Sequence, residues 1–318
     1  MRAIVLDQQQ ITVRDDHPLP RLADGDVLVR VLRAGICETD LQLIRGYMGF
    51  RGVLGHEFVG IAESSPFAGR RVVGEINCSC WKCETCLAGR PTHCPHRSVI
   101  GILNHDGAFA DFVAVPQRNL HVVPDSVPTD LAVFTEPLAA AFQILTQLPI
   151  RREDRVIVLG DGRLGNLCAQ VLARQSDQLL VIGKHVEKLT ILRQLGLETC
   201  LLEDCPRERL ADVVVDCTGS ESGLPTALQL VRPRGTIVLK TTVAGTQTLA
   251  WAPIVIDEVT IVGSRCGPFD RALIALERGE IQVQPLISDR FELPDGLAAL
   301  QRAQSKDVLK VLLDVERD

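Results

Sequence analysis

Short apolar runs separated by turn residues fill the first third of the chain. These runs are MRAIVL, DVLVRVLR, FVGIAE and RRVVGEI, and Asp24-Gly25 is a turn signal before the second of them. Runs of this length, spaced by turns, are typical of short strands. The pattern predicts an irregular, mostly β unit.

From about Arg155 the pattern changes to compact apolar runs separated by segments with helical spacing. The runs are RVIVLG, LLVIG, DVVVDCTG and GTIVLK. Strands buried on both faces are continuously apolar, and helices between them cover a parallel sheet. The first helix has one apolar stripe, made of Leu164, Leu167, Cys168, Val171 and Leu172. This half of the chain predicts an α/β fold, and the later segments RALIALERG and VLKVLLDV predict a tail that returns to the first unit.

Composition narrows the classes of function. With 318 residues and 46% hydrophobic residues, the chain can form large cores, and we expect two domains. The formal charge of −6 argues against an extended nucleic-acid surface, which requires clustered cations. The N-terminal segment has too few consecutive apolar residues for a signal peptide, and no apolar run approaches membrane-spanning length. We therefore expect a cytoplasmic protein with neither nucleic-acid nor membrane partners.

Eleven cysteines are present, and five of them lie between Cys78 and Cys94. In a large chain without a signal, such crowding favours metal binding over disulfides. Four of them, Cys80, Cys83, Cys86 and Cys94, have the spacing C-x2-C-x2-C-x7-C. Four thiolates close a tetrahedral coordination sphere, so this spacing predicts a structural zinc site. Cys78 is too close in sequence to Cys80 to share the ion, and a zinc ribbon for nucleic acid is disfavoured by the acidic net charge.

Three further segments carry chemically active side chains. They are GICETD, GHEFVG and TEPLAAA, and their side chains of interest are Cys37, Thr39, Asp40, His56, Glu57 and Glu136. A thiolate, an imidazole and carboxylates, together with a water, can form an open zinc site of the catalytic type. Spacing alone leaves open whether these residues meet in space.

The segment GDGRLG follows the RVIVL run directly and opens the amphipathic helix. Gly160 permits the tight turn, Gly162 lets the backbone approach a pyrophosphate, and Gly165 brings helix and strand close. Arg163 and Leu164 begin the helix, whose amides and dipole favour phosphate at that end. This strand, turn and helix predict a dinucleotide site.

Together, these motifs resemble the zinc-containing medium-chain dehydrogenase/reductase family, the group of alcohol, polyol and threonine dehydrogenases. GICETD, GHEFVG, the four-cysteine lobe, the EP of TEPLAAA, GDGRLG and DCTG occur in family order. The resemblance implies an α/β protein with a GroES-like, mostly β catalytic domain and a Rossmann domain with a doubly wound parallel sheet, with catalytic zinc in the cleft between them. The expected bounds are 1–143 for the first domain, with a structural zinc lobe at about 78–96, 144–270 for the second, and 271–318 for the returning segment.

The resemblance also implies roles for the residues. Cys37 and His56 match the two shared ligands of the catalytic zinc. Glu136 matches the third ligand, and Glu57 matches a nearby carboxylate that can exchange with water on the zinc, so Glu57 is the alternate ligand.

Two more roles follow from the same resemblance. Asp40 matches the carboxylate that orients the ligand histidine, and Thr39 matches the hydroxyl that accepts the substrate proton. The implied reaction moves hydride between an alcohol or carbonyl and a nicotinamide cofactor, with zinc as Lewis acid. Many relatives carry a relay histidine where this chain has Gln42, which implies a different proton exit, through water or the cofactor ribose.

The second strand of the Rossmann unit departs from the pattern of NAD-using relatives, in which an acidic residue at its end binds the ribose hydroxyls. Here Gly183 stands at that position, followed by Lys184 and His185, which can pair with a 2′-phosphate. The alternative is that Lys184 is a solvated surface charge and that Gly183 only ends the strand. We expect NADP(H) to be favoured over NAD(H), with Thr218 of DCTG among the cofactor-binding residues and two zinc ions per chain.

Two other functions remain open at this point. One is a non-catalytic, zinc-stabilised dinucleotide-binding regulator, and the other is a zinc-free quinone or enone reductase. The intact set of Cys37, His56 and Thr39 favours an enzyme, and the two metal motifs disfavour the zinc-free class. The resemblance implies a homodimer or homotetramer, and the substrate is an alcohol, such as a secondary alcohol or polyol, or its carbonyl.

Overall fold

The computed structural model describes residues 1–64, 66–205, 208–241 and 249–316. The chain forms two compact units, of which the first comprises Met1–Glu136 with Phe269–Asp318 and the second Pro137–Pro268. No helix among these described residues combines the length and the apolarity that a membrane span requires.

Strands occur along the whole length of the chain. In chain order they are β1 Ala3–Asp7, β2 Gln10–Arg14, β3 Asp26–Gly35, β4 Gly52–Val53, β5 Glu57–Ala62, β6 Arg71–Gly74, β7 Asn77–Cys78, β8 Ser98–Val99, β9 Phe112–Pro116, β10 Leu120–Val122, β11 Arg155–Leu159, β12 Gln178–Gly183, β13 Glu198–Leu201, β14 Ala211–Asp216, β15 Val231–Leu239, β16 Thr260–Gly263, β17 Ile287–Glu292 and β18 Lys310–Asp314.

The helices are concentrated after residue 128. In chain order they are α1 Glu38–Ile44, α2 Glu84–Leu87, α3 Thr129–Ala132, α4 Thr135–Gln147, α5 Arg163–Leu172, α6 Val186–Gln194, α7 Gly223–Leu230, α8 Ala252–Ile256, α9 Phe269–Glu277 and α10 Gly296–Arg302.

The first unit is organised around β3. In its described part, a seven-stranded sheet has the order β10-β6-β5-β3-β18-β17, and β9 also pairs with β3. β5 runs antiparallel along one side of β3, while β9 pairs with the first half of β3 on the other side and β18 with its last residues. Alternate residues of β3, including Val27, Val29 and Val31, are fully buried. The returning segment therefore completes the sheet that the first part of the chain begins.

The second unit contains a six-stranded parallel sheet in the order β13-β12-β11-β14-β15-β16. Numbered within the unit, this is the order 3-2-1-4-5-6 of a doubly wound dinucleotide-binding sheet. The predicted α/β class with a parallel sheet is confirmed. All these strands are parallel, but the direction in which successive strands are added across the sheet reverses between β11 and β14. Ligands of such sheets bind beyond the carboxyl ends of the strands at this point. GDGRLG follows β11, and DCTG begins with the last residue of β14, so both motifs lie at that crevice.

Burial explains why α5 packs on the sheet. Leu167, Cys168, Val171 and Leu172 are fully buried, as the apolar stripe requires, whereas Leu164 in the first turn is partly exposed. The stripe packs α5 against β11, the strand that the glycine turn connects to it.

Candidate functional site

Three potential metal ligands converge in the first unit. Cys37 immediately precedes α1, His56 immediately precedes β5, and Glu57 is the first residue of β5. The Cys37 sulfur, a ring nitrogen of His56 and a carboxylate oxygen of Glu57 all lie within 4.8 Å of one another. His56 is 3% exposed and Glu57 1% exposed, so these donors have little access to solvent. A thiolate, an imidazole and a carboxylate at this separation form a donor set that suits zinc.

Asp40 connects two of these residues. Its Oδ2 accepts a hydrogen bond of 2.8 Å from the backbone N–H of Cys37, and its Oδ1 lies 3.2 Å from Nδ1 of His56. Burial lowers the pKa of His56, but the facing Asp40 carboxylate and Cys37 outweigh this effect, and the pKa is raised well above its usual value. One fully buried carboxylate therefore sets both the start of α1 and the orientation of the imidazole ring.

Glu57 forms a buried ion pair with Lys310 of β18. The Lys310 ammonium contacts the Glu57 carboxylate and lies 3.4 Å from the carbonyl oxygen of Ile36, and its side chain is 1% exposed. Gly35 of β3 faces this pair and Val133, and a Cβ there would lie 2.8 Å from Val133 Cγ1, 3.0 Å from Glu57 Oε2 and 3.4 Å from Lys310 Cδ. The absence of a side chain at Gly35 makes room for the pair.

Glu136 and Thr39 lie near this group without belonging to the convergent set. Desolvation raises the pKa of Glu136 to about 7, while the charge of His56 opposes the shift and that of Glu57 adds to it. Among the described residues, the set whose donor atoms all approach one another contains Glu57 and not Glu136. Thr39 Oγ1 lies 3.8 Å from the Cys37 sulfur, and Thr39 is partly exposed. Of the two candidate third ligands, the geometry thus groups Glu57, the alternate, with Cys37 and His56.

The four cysteines of the C-x2-C-x2-C-x7-C motif also converge. Their sulfurs all lie within 4.8 Å of one another, with 3.4 Å between Cys80 and Cys94 and 3.8 Å between Cys83 and Cys94. Sulfurs bound at about 2.3 Å to a tetrahedral ion are about 3.8 Å apart. All four are free thiols, and Cys78 stays outside the set, with its sulfur directed to the Ile76 carbonyl. The spacing of the sulfurs fits a closed tetrahedral zinc site.

The pKa values of the cysteines in the same lobe, and the repulsion between their thiolates, favour a bound cation. The backbone N–H of Lys82 lowers the pKa of Cys80 to about 6, whereas desolvation raises the pKa of Cys86 to about 12. Four thiolates at this separation repel one another, so all four can ionise together only around a positive ion.

In the second unit, the glycine turn has the geometry that a pyrophosphate requires. Gly160 has a φ of +113°, and a Cβ there would lie 2.7 Å from the Cys217 carbonyl oxygen. A Cβ at Gly165 would lie 2.0 Å from the Gly160 carbonyl oxygen, so only glycine permits this close approach of helix and turn. Space within 4 Å of a Cβ at Gly162 is open. Arg163 and Leu164 form the first turn of α5 and are both partly exposed.

At the end of β12, the predicted triplet contacts the glycine turn through Asp161. Asp161 Oδ2 accepts hydrogen bonds from the backbone N–H of Lys184 at 2.7 Å and of His185 at 2.6 Å. Nδ1 of His185 lies 3.0 Å from Oδ1 of the same carboxylate. Gly183 is buried, Lys184 is exposed and the His185 side chain is 36% exposed. The turn and the strand end are therefore joined by one carboxylate.

Thr218 lies beside the glycine turn and is held by Asp216. Both its backbone N–H, at 2.9 Å, and its hydroxyl, at 2.7 Å, donate to Oδ1 of Asp216. The Thr218 Cα would lie 3.2 Å from a Cβ at Gly160. This places the predicted Thr218 at the crevice with Gly160.

Sequence reasoning missed two residues of these sites, Lys310 and Asp161. Each carried a signal. Lys310 interrupts the apolar run VLKVLLDV, and a lysine within a buried strand requires a partner. Asp161 puts a carboxylate into a turn suited to phosphate, which is costly unless donors neutralise it.

Family models match most of both units. The model described as the alcohol dehydrogenase GroES-like domain matches residues 23–125, and the model described as zinc-binding dehydrogenase matches residues 165–278. An L-threonine 3-dehydrogenase from Streptomyces coelicolor is 32% identical over an alignment 328 positions long, gaps included, that covers 94% of this chain and 94% of that protein.

Two solved structures resemble the whole chain with a TM-score of 0.89 and 26% identity, and both cover 99% of each chain. One, from Sinorhizobium meliloti 1021, is described as a zinc-binding dehydrogenase bound to NADP. The other, from Escherichia coli CFT073, is described as an alcohol dehydrogenase complexed with NADH.

Lys310→Met tests the buried ion pair. Removing one partner of a buried pair leaves an uncompensated charge, which costs about 3–5 kcal/mol. We expect the free energy of unfolding of the first unit, measured in urea, to fall by that amount. Glu57→Gln combined with Lys310→Met should lower it by less than the sum of the two single changes. As a control, Arg14→Met breaks an exposed pair with Asp16 and costs less than about 1 kcal/mol. Equal losses for Lys310→Met and Arg14→Met would contradict the assignment.

Proposed function

Because the chain belongs to the zinc-containing medium-chain dehydrogenase/reductase family and is an NAD(P)-dependent oxidoreductase, we propose that it transfers hydride between a secondary alcohol or polyol, or the matching carbonyl, and the nicotinamide. The observation that carries this proposal is the convergence of Cys37, His56 and Glu57 within 4.8 Å. Neither a non-catalytic regulator nor a zinc-free reductase has a chemical need for such an open donor set. The domain bounds 1–143, 144–270 and 271–318 belong to the same proposal.

Cys37, His56 and one carboxylate, Glu136 or its alternate Glu57, would hold the catalytic zinc. The contact between Asp40 Oδ1 and Nδ1 of His56 leaves Nε2 as the ring nitrogen for the metal. Bound there, zinc would supply Lewis acidity that stabilises negative charge on the substrate oxygen. Glu57 is already paired with Lys310, which favours Glu136 as the third ligand.

The chain's own groups provide the proton path. Thr39, partly exposed beside Cys37, would accept the proton of the substrate hydroxyl. Gln42 donates a hydrogen bond of 2.9 Å to Glu38 Oε1 and has no titratable group, so it relays no proton. The proton would leave through water or the cofactor ribose.

The dinucleotide would bind at the crevice of the second unit. Gly160, Gly162 and the first turn of α5 would take the pyrophosphate, with Thr218 beside them. Position 183 has a glycine in place of an acidic residue, and Lys184 and His185 follow it. Both features support a preference for NADP(H) over NAD(H).

The proposed assembly is a homodimer or homotetramer. Helix α8 supports it, since Trp251, Val255 and Ile256 are 69%, 73% and 77% exposed. Strand β16 follows this helix and lies at the edge of the parallel sheet. Exposed apolar side chains next to a sheet edge are typical of an interface between subunits.

The first prediction from this proposal concerns metal content. Protein that has not been exposed to a chelator should contain two zinc ions per chain. A chelator should first remove the ion of the open site, which is the one at Cys37 and His56. Cys83→Ser should lose about one zinc and lower both the melting temperature and the yield, whereas Cys78→Ser, outside the convergent set, should keep both ions. Elemental analysis and calorimetry measure these quantities. One ion or none per unmodified chain would refute the two-site assignment.

The second concerns turnover. Cys37→Ser or His56→Ala should lower kcat on the order of a hundredfold or more, because Lewis-acid stabilisation is worth several kcal/mol. Dinucleotide binding should stay nearly intact, since the residues proposed to bind it belong to the other unit. Cys266→Ser, which alters a cysteine outside both convergent sets, is the control. Steady-state assays with a panel of alcohols, polyols and carbonyls, and both cofactors, provide the reference, and unchanged turnover of Cys37→Ser would refute the assignment.

The third concerns cofactor preference. A charge-assisted hydrogen bond is worth about 1.5–3 kcal/mol, so NADP(H) should bind about ten- to a hundredfold more tightly than NAD(H). Lys184→Gln should weaken NADP(H) binding and leave NAD(H) binding unchanged, while Lys306→Gln, an exposed lysine of the first unit, should affect neither. Tighter binding of NAD(H) by the unmodified chain, measured as dissociation constants, is the contrary result.

A further inference from the structure

The carboxylate of Asp161 lies at the position that a side chain on Gly183 would occupy. A Cβ built at Gly183 would lie 2.5 Å from Oδ2, 2.6 Å from Cβ and 2.7 Å from Cγ of Asp161. In NAD-using relatives an acid projects from this end of the second strand. Here a carboxylate is present at the same strand end, but it reaches there from the glycine turn.

The two arrangements differ in what the carboxylate can bind. Asp161 is 6% exposed and accepts two backbone N–H groups, from Lys184 and His185, as well as the contact from the His185 ring. Its oxygens are thus directed to the protein, and the donors reduce the repulsion that its charge would exert on a nearby phosphate. An acid on the strand itself would have its oxygens free for ribose hydroxyls.

The hydrogen bonds also fix the positions of the two residues that follow β12, Lys184 and His185. With both backbone N–H groups turned toward Asp161, the exposed Lys184 side chain is carried on a fixed backbone. With Nδ1 of His185 directed to the carboxylate, the opposite ring nitrogen, Nε2, is left for another partner. The backbone that carries Lys184 and the ring of His185 are therefore both held in place beyond β12 by one residue of the glycine turn.

We propose that Asp161 is the residue that sets cofactor discrimination in this chain, as a positioning residue that holds Lys184 and His185 for a 2′-phosphate and makes glycine obligatory at 183. The proposal rests on the proposed function, since it explains the preference for NADP(H). It assigns that preference to a matched pair, Asp161 and Gly183, and not to the missing acid alone.

The decisive experiment compares the dissociation constants of NADP⁺ and NAD⁺ for the unmodified chain, Asp161→Ala and Asp161→Asn. Asp161→Ala should reduce the ratio of the NAD⁺ to the NADP⁺ constant by about tenfold, since the loss falls on the phosphate contacts. Asp161→Asn keeps an oxygen for the backbone N–H groups and should lose less. Asp177→Ala removes a carboxylate from an exposed pair with Arg152 in the same unit and should leave the ratio unchanged.

Two results would overturn the proposal. If Asp161→Ala weakened both cofactors by the same factor, Asp161 would be only structural. If it tightened NADP⁺ binding relative to NAD⁺, the carboxylate would be a repulsive charge and not a positioning group. The ratio of the unmodified chain is a separate readout, because a preference for NAD⁺ there refutes the proposed NADP(H) use, whereas the change of the ratio in the variants tests Asp161.

A second experiment tests the pairing without any cofactor. Gly183→Ala should lower the melting temperature by several degrees in the unmodified chain, and by much less in an Asp161→Gly background, where the colliding atoms are gone. Additive effects in this double-mutant cycle would overturn the matched pair. For the same reason Gly183→Asp alone should destabilise the chain, while Asp161→Gly with Gly183→Asp returns the acid to the strand and should shift the preference toward NAD⁺.

Discussion

The ion pair between Lys310 and Glu57 is the interaction on which the first unit depends. Two fully buried charges are tolerated only when they are paired, so β18 must lie where its ammonium meets the carboxylate at the start of β5. Gly35 lies between them in the sheet and leaves the required space. Because Glu57 directly follows His56, the pair also fixes the strand end on which a metal ligand is carried.

Both units use an aspartate to join two segments that are distant in sequence. Asp40 accepts the backbone N–H of Cys37 and faces the His56 ring, and Asp161 accepts two backbone N–H groups and faces the His185 ring. In each case a carboxylate orients a histidine whose other ring nitrogen stays available. A carboxylate suits this task because its two oxygens accept several donors at fixed directions.

Local sequence patterns were enough to predict most of the fold and many of the site residues. The glycine turn was predictable because Gly160 and Gly165 answer local steric demands, and the four cysteines because a tetrahedral ion restricts their spacing. The edge strands β13 and β16 were missed, since ETCL and TIVG are too short to show a clear period. Lys310 and Asp161 were missed for another reason: each acts through a partner far along the chain, and the pattern of one segment cannot identify that partner.

The place of β18 in the sheet has a consequence for biosynthesis. Cys37, His56 and Glu57 leave the ribosome long before Lys310, and the whole second unit is translated in between. That unit is contiguous and built from parallel strands with local crossovers, so it can form while the first sheet still lacks a neighbour for the last residues of β3. Until β18 docks, the nascent chain carries an open strand edge and an unpaired acid, Glu57, next to His56. Strand β18, which emerges after the whole second unit, therefore closes the first sheet and supplies the missing cation in a single event.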